Sequence, residues 1–515
     1  MLERSRRRGG RVVVAEDASV AVGRARSSSA RSSSAPSSRA RRGAALLGAT
    51  LVGTTLLGCT LAPSYSRPES SVPETFAGAE GEGGSAAALG WREVFQDAHL
   101  QGLVERALEN NRDLMVAALN VERFQALYRI ERAPLLPAVG IDGSATYQQL
   151  PAALPASRFA PKQQYAVNLG VSAWEIDFFG RIRSLSEAAL ERYFATQEAQ
   201  RNVHLSLVSQ VAIAYFQERA LAEQLELAER TMELVDESHR ITSRSFEAGI
   251  ASDLDLRTAE SQLEGTRFNL ALYQQRHAQA VNGIVFLLGA SLPEGLPEPP
   301  PLAEAPIETN LPPGLPSDLL QRRPDILAAE HELRAANASI GAARAAFFPS
   351  VTLTGAAGFA SLELGQLFGS DSVAWNFTPR IHVPIFQGGR LRASLDAAEI
   401  SKSIEVAKYQ RTIQAAFREV ADALLAREAI EQRLEAQKAR VAANELRYRL
   451  AERRYRAGVD NYVTLLTAQQ DLYASQQLLI DVHADRLANV AALYRALGGG
   501  WYETSEEAAE AEKAD

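Results

Sequence analysis

The chain has 515 residues, 46% of them hydrophobic, with 54 basic against 62 acidic side chains and a net charge of −8. That length admits several ordinary domains, while the composition excludes a many-helix membrane protein. The lack of a basic stretch interleaved with aromatics excludes nucleic acid as a partner. A single cysteine excludes an internal disulfide or a cysteine metal cage.

Residues 1–58 read as a leader. Residues 1–42 are rich in Arg and Ser and have no apolar period. Arg41-Arg42 then precede "GAALLGATLVGTTLLGC", a basic flank and an apolar run that suit a signal peptide better than a membrane span. Leu56, Gly58 and Cys59 resemble a bacterial lipobox. That resemblance implies lipidation at Cys59, which becomes the mature N-terminus, and Thr60 in the next position implies the outer membrane. Residues 59–110 are the lipidated segment, rich in Pro, Gly, Ala and Ser up to residue 90, followed by a first helix.

Beyond residue 111 the chain is written twice. At an offset of 209, Gly180-Arg181 meets Gly389-Arg390, Ala248-Gly249 meets Ala457-Gly458, and Leu288-Gly289 meets Leu497-Gly498. Upstream, Asp113 meets Asp325 and Pro137 meets Pro349 at an offset of 212. Constant spacing over so long a span indicates a tandem duplication, with copies at 111–289 and 323–498. Between them, residues 290–322 hold nine prolines, an irregular connection without the donors that helices and ladders need. Residues 499–515 are an acidic tail, expected to be disordered after Trp501.

The pattern of each copy predicts helix, strand, strand, long helix, helix. In copy one these are 112–133, 137–149, 164–177, 181–247 and 252–288. In copy two they are 325–346, 349–361, 375–386, 390–456 and 461–497. The strands alternate. Tyr165, Val167, Leu169, Val171 and Ala173 oppose Ala166, Asn168, Gly170 and Ser172; Trp375, Phe377, Ile381, Val383 and Ile385 oppose Asn376, Thr378, Arg380 and His382. Such strands suit a transmembrane barrel, with lipid on one face and water on the other, or a soluble sandwich with one buried face. Pro379 and Pro384 argue against a regular central strand. Four strands cannot close a barrel, so membrane strands would need several chains to share one.

Helices of the predicted length span about 100 Å, wider than any compact domain. Leu207, Val211, Ala214, Leu221, Leu225, Ala228, Met232 and Val235 keep a coiled-coil spacing, as do Ala416, Val420, Ala423, Ile430, Leu434 and Val441 in copy two. Histidines are scattered without ligand spacing, so no catalytic, cofactor or metal residues are expected.

The pieces "CTLAPSYSRP", "WEIDFFGRIR", "RRPDILAAEHELRAANASIGAARAAFFP", "FQGGRLR" and "YRAGVDNYVTLLTAQQDLY" resemble the TolC-like outer-membrane efflux proteins, in their lipoprotein branch. The resemblance implies an α+β membrane protein. Four transmembrane strands per chain join in a 12-stranded barrel shared by a homotrimer, above a long α-helical coiled-coil periplasmic tunnel. It further implies a passive exit duct for small molecules, served by a periplasmic adaptor and an inner-membrane pump of the RND type. Gly180, Arg181, Gly389 and Arg390 would mark the barrel-to-tunnel junctions. Ala248, Gly249, Ala457 and Gly458 would form hairpin tips that meet the adaptor. Asp460, Thr464, Thr467 and Asp471 are the periplasmic gate candidates. Thr467 stands where a relative's pattern has Asp, so a simple acidic ring is not expected. Asp253 and Asp255 have a plainer reading as helix N-caps. The alternatives are a type I secretion duct for polypeptides, which lacks the lipidated cysteine, and a coiled-coil envelope lipoprotein without a barrel.

Overall fold

The computed structural model describes residues 60–69, 88–149, 151, 161–309, 311–312, 320 and 322–508, all within one compact unit, Gly58–Asp515. Cys59 and the leader lie outside the described residues. The elements run α1 (Trp91–Val94), α2 (Ala98–Asn110), α3 (Arg112–Arg132), β1 (Val139–Tyr147), β2 (Gln163–Ile176), α4 (Arg181–Glu247) and α5 (Asp253–Leu288). The second copy supplies α6 (Pro324–Ala345), β3 (Ser350–Ser361), β4 (Val373–His382), α7 (Arg390–Arg456) and α8 (Tyr462–Ala496). No helix among the described residues is long and apolar enough to cross a membrane.

The helices α4 and α7 have 67 residues each, about 100 Å. Each is lined by two shorter helices set end to end. Asn111, the N-cap of α3, donates its side-chain amide to Leu287 O at the end of α5, at 2.8 Å. Gly289 closes α5 at φ 65°, and a Cβ there would stand 2.4 Å from Asn110 O. Copy two repeats the joint: Gly498 has φ 86°, and Arg323 before α6 donates to Ala496 O at 2.9 Å.

The main core sits at mid-length. Leu207, Val211, Tyr215 and Phe216 of α4 and Tyr409, Ile413 and Val420 of α7 meet Trp91, Phe95, Leu100, Leu288, Ile326 and Tyr494 there. The Pro-rich connection contributes Leu302 and Leu311 to it, and Ile307 forms a bridge with Phe95. The expected seam on α4 is only half right. Leu207, Val211, Ala228 and Val235 are buried, but Ala214, Leu221, Leu225 and Met232 are half-exposed while Val208, Ala212, Tyr215, Phe216 and Leu227 are buried. The helix packs against α3, α5, α6 and α8 in turn, so its buried stripe is broader than one coiled-coil seam. In α7 all six expected positions are buried.

The acidic tail is corrected in part, since residues 501–508 are ordered. The Trp501 ring lies 4.9 Å from that of His204. The amides of Trp91 and Arg92 donate to Tyr502 O (3.0 Å) and Glu503 O (3.2 Å), and Arg92 pairs with Glu503 at 3.1 Å.

All four strands form one antiparallel sheet in the order β1-β2-β3-β4. Directly paired residues share a face. The register places Val139, Ile141, Leu169, Val171, Leu353, Phe359, Val373, Trp375, Phe377 and Ile381 on one side, and Asp142, Asn168, Thr352, Thr354, Asn376, Thr378, Arg380 and His382 on the other. Ala173 departs from the expected alternation. It has φ 50° at a bulge between the pairs Val171↔Gly355 and Trp174↔Leu353, and its amide donates to Thr354 Oγ1 at 3.1 Å. The extra residue carries Trp174 and Ile176 onto the apolar face. β4 stops at His382 instead of residue 386 because Pro384 has no N–H to pair. Pro379 lies within β4, opposite Leu353, where it withholds one donor from the ladder. Among the described residues no second layer covers either face, and Trp375, Phe377, Ile381 and Ile141 are exposed. A sandwich among the described residues is therefore excluded.

Candidate functional site

Each long helix leaves the sheet through a left-handed glycine, Gly180 at φ 74° and Gly389 at φ 85°, a conformation costly to any side chain. In copy one the turn is clamped. Glu175 accepts both Arg181 Nε (2.9 Å) and Nη2 (2.6 Å), and Asp177 accepts the Arg183 amide at 2.8 Å. In copy two the equivalent positions are Pro384 and Phe386, and Arg390 bonds the Gln387 side chain instead. The two turns face each other across a cavity of about 210 Å³ lined by Asp177, Arg181, Phe348, His382 and Arg390.

At the far ends, Ala248-Gly249 and Ala457-Gly458 form matching turns, with φ 68° at Gly249 and 70° at Gly458. The amide of Ile250 donates to Ser245 O (2.8 Å) and that of Val459 to Arg454 O (2.9 Å), which satisfies the last carbonyls of α4 and α7. Ile250, Leu254, Val459 and Val463 are exposed there. The N-cap of α5 is Ser252, with Asp255 completing a capping box. Asp253 is not the cap and sits 3.4 Å from Arg257.

The gate candidates run from the second tip, at Asp460, into the start of α8. Asp460 is held by Arg454 at 2.7 and 2.9 Å, which keeps its carboxyl below the usual range. Asp471 pairs with Arg447 at 2.5 Å. Thr464 bonds the cap residue Asn461 (2.9 Å) and Thr467 bonds Val463 O (2.8 Å). All four are thus satisfied within their own hairpin. From the tips as far as Gln477, the bonds between the two hairpins fall elsewhere: Ser238 with Tyr462 (3.1 Å), Gln470 to Gln262 (2.7 Å) and Gln477 to Tyr273 (2.6 Å). Nothing in the sequence marks these neutral pairs.

A second feature the sequence did not disclose is a strap. Residues 60–69 run along α6, with Thr60 Oγ1 3.3 Å from Ser184 Oγ in the first turn of α4. Asn337 donates to Pro63 O at 2.8 Å. A Cβ on Gly341 would stand 2.8 Å from the Ala62 nitrogen. At the other end Glu330, its side chain buried, accepts Tyr65 Oη (3.1 Å), Arg67 Nη2 (2.6 Å) and Arg334 Nη2 (2.8 Å). Burial alone would raise the Glu330 carboxyl, but the hydrogen bonds from Arg67 and Arg334 outweigh it and hold the group below its usual range. Burial and Glu330 push the Tyr65 hydroxyl up to about 12.

A family model described as outer membrane efflux protein matches residues 103–290 and 315–499. The chain is 47% identical over 425 residues to the antibiotic efflux pump outer membrane protein ArpC of Pseudomonas putida, spanning 82% of this chain and 88% of that one. It is 40% identical over 413 residues to the cation efflux system protein CusC of Escherichia coli, spanning 80% and 88%. Among solved structures, the open state of the Neisseria gonorrhoeae MtrE outer membrane channel superposes with a TM-score of 0.80 at 38% identity, covering 87% of this chain and 100% of that one.

Proposed function

This chain belongs to the outer membrane efflux protein family and acts as an outer-membrane efflux channel; from that premise we propose that three copies share one barrel and form the passive exit duct of a tripartite pump. The open four-stranded sheet, with two unpaired edges and one exposed apolar face, carries the reading. In hydrocarbon, unpaired edge groups cost several kcal/mol each. Because the strands alternate in direction, β4 of one copy can pair antiparallel with β1 of the next. Two copies would give eight strands, an interior just wide enough for side chains. Three give twelve and leave an aqueous lumen lined by the polar face.

The helices support the same count of contacts. α6 lies between α4 and α7 of its own chain, whereas its equivalent α3 contacts α4 and has no buried residue. The duplication assigns the open side of α3 to α7 of a neighbouring copy.

The remaining assignments follow from position. Cys59 carries the lipid; the next residue, Thr60, contacts Ser184 one turn from Gly180, which supports an anchor at the edge of the membrane. Ala248, Gly249, Ala457 and Gly458, with exposed Ile250 and Val459 beside them, meet the periplasmic adaptor of an RND-type pump. The gate lies between the second tip and the first turns of α8, at Asp460, Thr464, Thr467 and Asp471. Hydrogen bonding between hairpins, through Tyr462, Gln470 and Gln477, holds it, not an acidic ring. The cargo is small toxic compounds, in keeping with relatives named for antibiotic, solvent and cation efflux. The pump supplies energy and specificity.

The test is the native mass of the detergent-extracted protein, corrected for bound detergent, followed by efflux assays with candidate pumps. A three-chain species that restores resistance to a strain lacking its outer channel is expected. A single chain, or release by salt without detergent, overturns the shared barrel.

A further inference from the structure

The loop between β3 and β4, residues 362–372, joins the strand ends remote from the helices. It is a closed knob. Two 3-10 turns, Leu364–Gln366 and Ser370–Ser372, are tied by Gly369 N to Gln366 O (3.0 Å), Ser372 N to Gly369 O (3.1 Å) and Ser372 Oγ to Gln366 O (2.6 Å). Leu367 plugs it at 4% exposure, while Leu364 and Phe368 project at 64% and 71%. A water-facing loop of this size has no use for both. The Phe368 ring stands 5.5 Å from that of Phe359, edge to face, and Phe359 lies on the apolar face of the sheet, paired with Val167 and Val373.

We propose that this knob is an interfacial anchor: Phe368 and Leu364 insert among the acyl chains of the outer leaflet and extend the lipid-facing belt beyond the strands. The inference rests on the barrel reading given above. Continuity fixes the occupant, since the loop grows out of the apolar face through the Phe359–Phe368 contact. Charge supports acyl chains over headgroups, because Glu363 and Asp371 are the only charged residues between 362 and 372 and neither would bind an anionic group. Aromatic side chains are favoured at that depth. Internal bonding makes the knob a fixed foot and not a lid over the lumen.

The experiment places single cysteines, Phe368→Cys, Leu364→Cys, Ser370→Cys and Phe377→Cys, in the full chain reconstituted in phospholipid vesicles. Each carries a nitroxide, with the unmodified chain as background for Cys59. Collisions with lipid-soluble oxygen and a water-soluble nickel chelate are compared by electron paramagnetic resonance. Oxygen should dominate at 364, 368 and 377, and nickel at 370. Nickel dominating at 368 with oxygen at 377 overturns the anchor and leaves the barrel standing. Nickel at 377 overturns the barrel itself. Exclusion of both reagents at 368 means another copy of the chain covers the knob, which also overturns the proposal.

Discussion

The helices of the two copies have nearly the same spans and are buried differently. The helices α4 and α7 match residue for residue in length, yet 21 residues of α4 are buried against 10 of α7. The short helices differ more: α3 buries none and α6 twelve. The difference teaches that α3 and α7 stand at the two open ends of one chain, where the duplication calls for a neighbouring chain, while substitutions decide local additions such as the strap. At the offset of 212, Glu330 and Gly341 correspond to Ala118 and Arg129. Arg129 has no room for a crossing strap, and Ala118 offers it no charge, so residues 60–69 lie on α6.

The largest expected effect tests the bare face of α3. Val116 and Ile130 are 57% and 63% exposed in the single chain. Val116→Glu with Ile130→Glu should abolish the three-chain species in detergent while leaving the helix content of the subunit unchanged by circular dichroism. An unchanged native mass would mean that α3 faces water and that the copies differ for another reason.

Next is the strap. Glu330→Ala leaves two part-exposed guanidinium groups without their shared carboxylate, a loss of about 2 kcal/mol, and should remove hydrogen-exchange protection from residues 60–69. Ala118→Glu in the other copy should protect nothing. The pH dependence has a definite sign. The folded carboxyl lies below its unfolded value, so its contribution is present above the unfolded pKa and lost as pH falls through the folded one. Protection should therefore persist at neutral pH and disappear only below the ordinary glutamate value of about 4.3. In Glu330→Gln it should not vary with pH over that range.

The junction glycines should behave alike despite their different clamps. Gly180→Ala and Gly389→Ala each force a side chain into the left-handed region, at about 1–2 kcal/mol, read as matching falls in Tm. If Gly389→Ala costs far less, the unclamped turn of copy two relaxes and copy one does not. The smallest effect is at Ala173, whose φ of 50° has no counterpart among the described non-glycine residues. Ala173→Gly should stabilise by about 0.5 kcal/mol, measured as a small rise in Tm.

The sequence made the helices readable nearly to the residue, because glycine and proline mark their ends and their periods are long. Strand faces were equally plain up to Val171. The bulge at Ala173 was not, since nothing but the side-by-side apolar pair Ala173-Trp174 signals an extra residue. The strap was invisible for a different reason: Arg67 and Glu330 are 263 positions apart, and no periodicity links an extended segment to the helix it crosses. The fourfold list of gate candidates followed charge and hydroxyls near the second tip. The structure gives Asp460 and Asp471 partners within their hairpin and bridges the hairpins with neutral Gln, Ser and Tyr pairs, whose composition is that of any exposed helix. Order in residues 501–508 was missed because an acidic run hid the anchoring of Trp501.

The equal length of α4 and α7 ties the evolution of one copy to that of the other. Both start at a glycine beside the same sheet, so equal length sets their tips at one level. Inserting seven residues into a single helix would drop its tip by about 10 Å, and a partner seated on both tips would lose half its footing. Length changes in such a duct can survive only in pairs, one in each copy, even though the sequences between those fixed ends have been free to diverge.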